Sequence, residues 1–352
     1  MRDNISFKMS DGLVINGTLM GNIEGPNLVV MLHSGGYDRL EWGVKEVLET
    51  EHGREKVHFN SKGNYEYLSS YLQDDAAILL IDQRNHGRSG KNIDEDKMIA
   101  AIKEIANISN REIELLNRYL KERNNDMLEY LVTNLDISDS DKDKLWKLLK
   151  KPIIKDMSFI QMANDLEEVL YLIRREYNYS NIHLVGTCMG ALVSGLYTIK
   201  RPEDIKSLTL FSPLYTFDPV FLNPQNDFNK RKREIIDSKK QYRMGNAVEG
   251  LSTIKEIEEI RRTFYEKLFQ TNIPIFCIQG VEDKLVPVSY QSVIFETMKK
   301  YRNKHNLAPV YYAEIEPGVH CLYDVIFPSL MEAINFIEGN LEYPNLNKKP
   351  SL

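Results

Sequence analysis

Gly186-Thr187-Cys188-Met189-Gly190 follows directly on the apolar run Ile182-His183-Leu184-Val185. Two glycines bracketing a central residue at this spacing mark a strand that turns abruptly into a helix. The middle residue is then forced into an uncommon backbone geometry with its side chain exposed. A Cβ at Gly186 or Gly190 would collide with the neighbouring strand or the first helical turn. The exposed atom is sulfur at a helix N-terminus, where free N–H groups and the macrodipole favour a thiolate. Such a thiolate can form a covalent intermediate if a histidine stands beside it. Taken alone, the pentapeptide reads more readily as a structural cysteine between two turn glycines, and the rest of the chain decides.

Holding such a turn requires a sheet of strands that end at a common edge. Leu28–Leu32, Ala77–Ile81 and Ile182–Val185 are continuously or nearly continuously apolar, as strands covered on both faces must be. Leu208–Phe211, Ile275–Ile278 and Val310–Ile315 supply more strands, and Ile5–Met9 with Leu13–Met20 reads as an edge hairpin around Ser10-Asp11-Gly12. Phe159, Ala163, Leu166, Leu170 and Ile173 recur at helical spacing over Phe159–Arg175. This alternation predicts an α/β fold, a mostly parallel sheet with helices on both faces.

Two stretches interrupt the alternation. In the first, Ser109 caps a helix over Asn110–Lys121, and Ser138-Asp139-Ser140-Asp141 precedes an amphipathic Lys144–Lys150 that stops at Pro152. The second predicts helices over Asp227–Tyr242 and Thr253–Phe269. The expected division is core at 1–91, helical insertion at 92–156, core with the elbow at 157–216, a second insertion at 217–270, and core at 271–352. Insertions at strand C-termini cover the site in open α/β sheets, so together they would form a helical cap.

With 352 residues, 42% hydrophobic and 27% charged, the chain has the make-up of a soluble globular protein. Met1 to Met20 lacks a basic segment followed by an apolar stretch, and no later run reaches bilayer length, so a cytoplasmic location is expected. Cys188, Cys277 and Cys321 are too few and too scattered for a disulfide framework or a zinc site, so no metal or cofactor is expected. A net charge of −6 argues against general nucleic-acid binding.

Four further segments give the cysteine its context. His33-Ser34-Gly35-Gly36 follows one strand and Asp82-Gln83-Arg84-Asn85-His86-Gly87-Arg88-Ser89 the next; Gly280-Val281-Glu282-Asp283-Lys284-Leu285-Val286-Pro287 and Pro317-Gly318-Val319-His320 lie near the C-terminus. In that order, with the elbow between, they resemble the motifs of the α/β-hydrolase fold: an H-G-x-G oxyanion loop, a D-x-R-G-H-G-x-S segment, an acid turn and a histidine loop. The resemblance covers about Leu28–Gly90, Phe159–Ser212 and Ile273–Asn340, and not the insertions.

What the resemblance implies is a nucleophile at Cys188, a general base at His320 and an orienting acid at Asp283, with Glu282 and Asp218 as alternative acids. The N–H groups of Met189 and Gly35 would form the oxyanion hole, with Gly36 shaping its loop. His33 and His86 would order loops, Cys321 would be a packed neighbour and Cys277 core. Ser34 and Asn85 stand where the family has glycine, and Cys188 where it usually has serine. A cysteine makes the acyl-enzyme a thioester, similar to dienelactone hydrolases, bile-acid amino-acid transferases and Dieckmann-type cyclases.

The expected activity is therefore hydrolysis or transfer of an activated acyl group, most plausibly a thioester. A Dieckmann-type cyclase and a non-catalytic ligand receptor of the same fold are the alternatives. Lys230, Arg231, Lys232, Arg233, Lys239, Lys240 and Arg243 form a basic stretch that would steer an acyl carrier protein or coenzyme A, if it is not simply a solvated helix face.

Overall fold

A computed structural model describes residues 2–37, 39, 44–48, 56–60, 72, 75–213, 227–239, 241–244 and 247–340. The strands are β1 (Arg2–Lys8), β2 (Val14–Gly21), β3 (Asn27–Leu32), β4 (Val44–Leu48), β5 (Lys56–Asn60), β6 (Ala77–Asp82), β7 (Asn181–Thr187), β8 (Ile205–Phe211), β9 (Tyr242–Met244), β10 (Ala247–Glu249), β11 (Ile275–Gly280) and β12 (Val310–Ile315). Eight of them form one sheet in the order β1-β2-β6-β3-β7-β8-β11-β12. The hairpin β1–β2 joins β6 antiparallel, and every pairing from β6 to β12 is parallel. The expected edge hairpin and parallel centre are therefore both present.

The helices are α1 (Glu95–Ile105), α2 (Asn110–Glu122), α3 (Asn125–Asn134), α4 (Asp139–Lys150), α5 (Phe159–Tyr177), α6 (Met189–Lys200), α7 (Asp227–Ser238), α8 (Leu251–Gln270), α9 (Val288–Lys304) and α10 (Ile326–Glu338). Side chains along β3 alternate between two cores because successive Cβ atoms point to opposite faces. Leu28, Val30 and Leu32 meet α5, α6, α8 and α9, whereas Val29 and Met31 share the other core with Leu330, Ala333, Ile334 and Ile337 of α10. On α5, Phe159, Met162, Leu166, Val169, Leu170 and Ile173 make a stripe buried against the sheet, each contributing about 1.5–3 kcal/mol of burial. Its first turn is fixed by Ser158 and by Glu256 of α8, whose carboxylate accepts the Phe159 and Ile160 N–H groups at 2.5 and 3.2 Å.

Residues 92–156 build an apolar cluster of their own, separate from the two sheet cores. Met98, Ile102, Ile113, Leu116, Leu120, Leu128, Val132, Leu145 and Leu149 of α1–α4 pack together, and Val248 of β10 joins them. Gln241 and Ser252 are also tied to this segment at Asp156, which accepts from Gln241 at 2.6 Å and from the Ser252 hydroxyl at 2.5 Å.

The sequence overextends one helix. α7 ends at Ser238 instead of Tyr242, Lys239 takes a left-handed φ of 52°, and Tyr242–Met244 pairs with Ala247–Glu249. Met244 stands opposite Ala247 in this short antiparallel pair, which the basic run obscured. The β4–β5 pair was not anticipated either.

Candidate active site

Four loops leave the same C-terminal edge of the parallel strands: those after β3, β7, β11 and β12. The loop after β7 is the elbow. Cys188 has φ 51° and ψ −106°, its N–H donates to the Phe211 carbonyl at 2.9 Å, and its own carbonyl accepts from Leu192 in α6 at 3.2 Å. A Cβ on Gly186 would stand 2.4 Å from the Gly190 oxygen, and one on Gly190 would stand 2.3 Å from the Leu32 oxygen and 2.7 Å from that of His33. Both glycines are thus required by close backbone approach, and the second one locks the start of α6 against the end of β3.

Cys188 and His320 meet across the sheet edge. His320 Nε2 lies 3.2 Å from the Cys188 sulfur, and His320 Nδ1 lies 2.8 Å from Asp283 Oδ2. Asp283 is buried and well anchored: the Gln279 amide donates to Oδ2 at 2.7 Å, and the N–H groups of Leu285 and Val286 donate to Oδ1 at 2.8 Å each. Glu282 is exposed, and Asp218 lies outside the described residues. Burial opposes a charged His320 ring, but Cys321 and the Asp283 carboxylate outweigh it and hold its pKa up to about 10. Burial and the neighbouring Cys188 also push the Cys321 thiol up, against the pull of His320.

The loop after β3 is held by two histidines. His33 is fully buried, accepts the Gln83 N–H on Nε2 at 2.9 Å, and donates from Nδ1 to the Ser34 carbonyl at 2.8 Å. His86 donates from Nδ1 to the Arg84 carbonyl at 2.8 Å and takes the Gly36 N–H on Nε2 at 3.4 Å. Both rings order loops. Among the described residues no acceptor takes the N–H of Met189, the first residue of α6, or of Gly35. The close approach of Gly190 to Leu32 and His33 sets the start of α6 beside the strand end that leads into Gly35.

Burial, helped by the Arg39 charge and opposed by the Ser34 bond, pushes the His33 pKa from 6.5 down to about 4. The unfolded chain takes up this proton near 6.5 and the folded one only near 4, so stability falls as pH drops through that window. The loss is about 3 kcal/mol. Histidine ring resonances report it: His33 is expected to titrate near 4, and titration near 6.5 would contradict the buried neutral ring.

The segment after β6 explains its own motif. Asp82 accepts the Arg88 N–H at 2.7 Å and the Arg39 N–H at 2.8 Å and pairs with the Arg39 guanidinium. Gly87 packs so closely on that carboxylate that a Cβ would stand 2.3 Å from it. Arg84 is clamped by Asp165 of α5 and by Asp11 of the hairpin turn. Asn85 adopts φ 68°, which asparagine tolerates, so the loss of the usual glycine leaves the left-handed turn intact.

Two sequence expectations need revision. The basic stretch is not wholly free: Lys232 pairs with Glu258 and one Arg243 nitrogen donates to the Pro152 carbonyl at 3.0 Å, while Arg233, Lys239 and Arg243 are exposed. The side chains of Lys230 and Arg231, and all of Lys240, lie outside the described residues. Cys321, expected only to pack, sits with its donor atom within 4.8 Å of those of both Cys188 and His320. Its adjacency to His320 was the one signal in the sequence. Cys277 is buried in β11, as expected. No helix among the described residues is long and apolar enough to cross a membrane.

Comparison with known proteins agrees with this fold. Monoacylglycerol lipase abhd6-A of Xenopus laevis is 30% identical over 131 residues, 37% of this chain and 36% of that protein. The chain therefore matches little more than a third of that relative's length. Among solved structures, Est1E from Butyrivibrio proteoclasticus with bound ferulic acid has a TM-score of 0.53 at 14% identity, covering 96% of this chain and 98% of its own. A hydrolase from Pseudomonas aeruginosa gives 0.52 at 14%, covering 95% and 97%. These likenesses show the fold alone. The profile of the alpha/beta hydrolase fold matches residues 29–253, more than half of the chain, and with the sheet order and four-loop edge described above the protein belongs to the alpha/beta hydrolase fold family.

Proposed function

We propose that this chain is a cysteine-dependent enzyme that cleaves or transfers an activated acyl group, with a thioester as substrate. The observation that carries this reading is the relay of Cys188 sulfur, His320 and Asp283 at 3.2 and 2.8 Å. Cys188 attacks the acyl carbon as a thiolate beside a protonated His320 ring, and the oxyanion takes the N–H groups of Met189 and Gly35. Collapse breaks the bond to the leaving group, which leaves with the proton of His320. The acyl group is then on Cys188 and the ring is neutral. Water or another nucleophile gives a proton to His320 as it attacks, and a second collapse returns thiolate and imidazolium. Asp283 keeps the ring in the tautomer and orientation both steps need.

Residues 92–156 and 217–270 act in this reading as a cap over the site, supported by the separate core of α1–α4 and the joint at Asp156. A covered site restricts water and suits transfer from a carrier thiol, either coenzyme A or an acyl carrier protein. A reducing, cytoplasmic setting would keep Cys188 nucleophilic. The second reading is an oxoester hydrolase, favoured by the lipase named for the X. laevis relative and the ferulic acid in Est1E.

Matched thioesters and oxoesters of one acyl chain separate the two. Thioester turnover is expected to have the higher kcat/KM by at least about tenfold, roughly 1.4 kcal/mol of barrier. Equal or faster oxoester turnover would favour the lipase-like reading. A free acid product marks hydrolysis and a cyclic product a Dieckmann-type release. No turnover together with tight binding unchanged in Cys188→Ala would favour a ligand receptor.

A further inference from the structure

We propose that Cys188, His320 and Cys321 form a binding site for a soft divalent cation, zinc above all, and that its occupation silences the nucleophile. The acyl chemistry above uses Cys188, His320 and Asp283 and leaves Cys321 without a task. Yet the chain spends conformational free energy to place it. Cys321 has φ 63° and Leu322 φ 58°, both in the left-handed region that bulky residues avoid. Through that bend the Cys321 side chain turns inward beside the His320 ring and is 3% exposed. Its thiol is pushed up by burial, and its sulfur lies within 4.8 Å of the donor atoms of both Cys188 and His320.

The donor set suits zinc in type and in spacing. One atom from each of the three residues lies within 4.8 Å of the others, and the Cys188 sulfur is 3.2 Å from His320 Nε2. Tetrahedral zinc with bonds of about 2.3 Å to sulfur and 2.0–2.1 Å to nitrogen sets its donors roughly 3.6–3.8 Å apart. The three groups therefore need to move by about an ångström or less. Two thiolates and an imidazole select a soft ion over magnesium or calcium. The support behind them is already that of a metal site: the ring nitrogen of His320 turned away from the sulfur is held by Asp283 at 2.8 Å, and that carboxylate is itself fixed by Gln279, Leu285 and Val286. A carboxylate behind a histidine is how proteins orient a ligating ring.

Three protein donors leave a fourth position for water or a small ligand. Binding changes no oxidation state. The ion forms bonds to two sulfurs and one nitrogen, and the protons held by Cys321 and by the Cys188–His320 pair leave to solvent. The sulfur lone pair that would attack an acyl carbon, and the nitrogen that would carry a proton, are then both engaged. That blocking effect rests on Cys188 being the nucleophile; the binding itself does not.

The test titrates metal-free protein with Co²⁺ as the optical probe and then with Zn²⁺. One equivalent of Co²⁺ per chain is expected to give sulfur-to-cobalt charge-transfer absorption with tetrahedral ligand-field bands, and Zn²⁺ should bleach both. Zn²⁺ should also slow alkylation of Cys188 by iodoacetamide at least about tenfold. Cys321→Ser and Cys321→Ala should each weaken Zn²⁺ binding at least about tenfold, while their circular dichroism and urea midpoints stay close to those of the wild type, which checks folding. Cys277→Ser should change neither. Absence of the charge-transfer band, or Cys321 variants that hold Zn²⁺ as tightly as the wild type, would overturn the proposal. The spectra decide this even if no acyl substrate is ever turned over.

Discussion

Replacing His320 with alanine is expected to lower kcat/KM on an acyl-thioester by about a thousandfold, within the range for loss of a general acid–base group. The ring supplies three things at once: a cation 3.2 Å from the sulfur, a proton for the leaving group, and a base for the second step. No other described side chain duplicates its bond to Asp283. Asp283→Asn should also fall steeply even if the ring keeps its place, because the amide loses the charge that stabilises the imidazolium and holds the ring in the wrong tautomer. Stability gives an independent readout. The folded pKa of His320, about 10, lies above its ordinary 6.5, so the stabilisation it draws from its partners is fully present below pH 6.5 and lost as pH rises through about 10. The difference in unfolding midpoint between wild type and His320→Ala should shrink over that interval. A variant within tenfold of wild-type kcat/KM would remove His320 from the mechanism.

Arg302→Met should destabilise the protein by about 3–5 kcal/mol while leaving the triad untouched. Arg302 lies on α9, is fully buried, and has no carboxylate among its hydrogen-bond partners. Its guanidinium donates to the carbonyls of Leu268 and Ile273 at 2.8 and 2.6 Å, to Phe269 and Ala308 at 3.2 Å, and to the Thr271 hydroxyl at 2.7 Å. It thereby closes the open end of α8 and ties it to the chain entering β11 and β12, the strands that carry Asp283 and His320. Burial without a counter-charge pushes its pKa down to about 10. Methionine fills the volume and removes the desolvated charge, which offsets part of the loss. Buried carbonyls left without donors cost about 1–3 kcal/mol each. Arg302→Lys should lose less, though one ammonium cannot reach five acceptors in the guanidinium geometry. Urea unfolding measures the change; a loss under about 1 kcal/mol would mean that water or the backbone makes good the missing donors.

The parts of this protein that sequence reveals are those fixed by short-range chemistry. β3, β6 and β7 are buried on both faces and so read as unbroken apolar runs, and the hairpin turn is written in Asp11-Gly12. The elbow is legible because backbone contact within 2.3–2.4 Å of a would-be Cβ admits glycine alone at two fixed positions. Its partners were found by their own turns: Asp283 by the loop whose N–H groups hold it, His320 by its place after β12. What stayed hidden depends on contacts distant in sequence. Arg302 looks like one more cation in a charged helix end until the fold wraps five acceptors around it. Cys321 looks like a bystander until two left-handed residues swing its thiol towards Cys188. Lys232 and Arg243 looked like a free basic face until Glu258 and the Pro152 carbonyl took their donors.

The central claim is that an acyl group passes through the Cys188 sulfur. Intact-mass spectrometry of protein mixed with an acyl-thioester and quenched within the first turnovers tests it most directly. The account predicts a gain equal to the acyl group on the wild type, mapped to the peptide holding Cys188, slower to appear in His320→Ala and absent in Cys188→Ala. An adduct that survives Cys188→Ala, or undiminished thioester turnover by that variant, would contradict it.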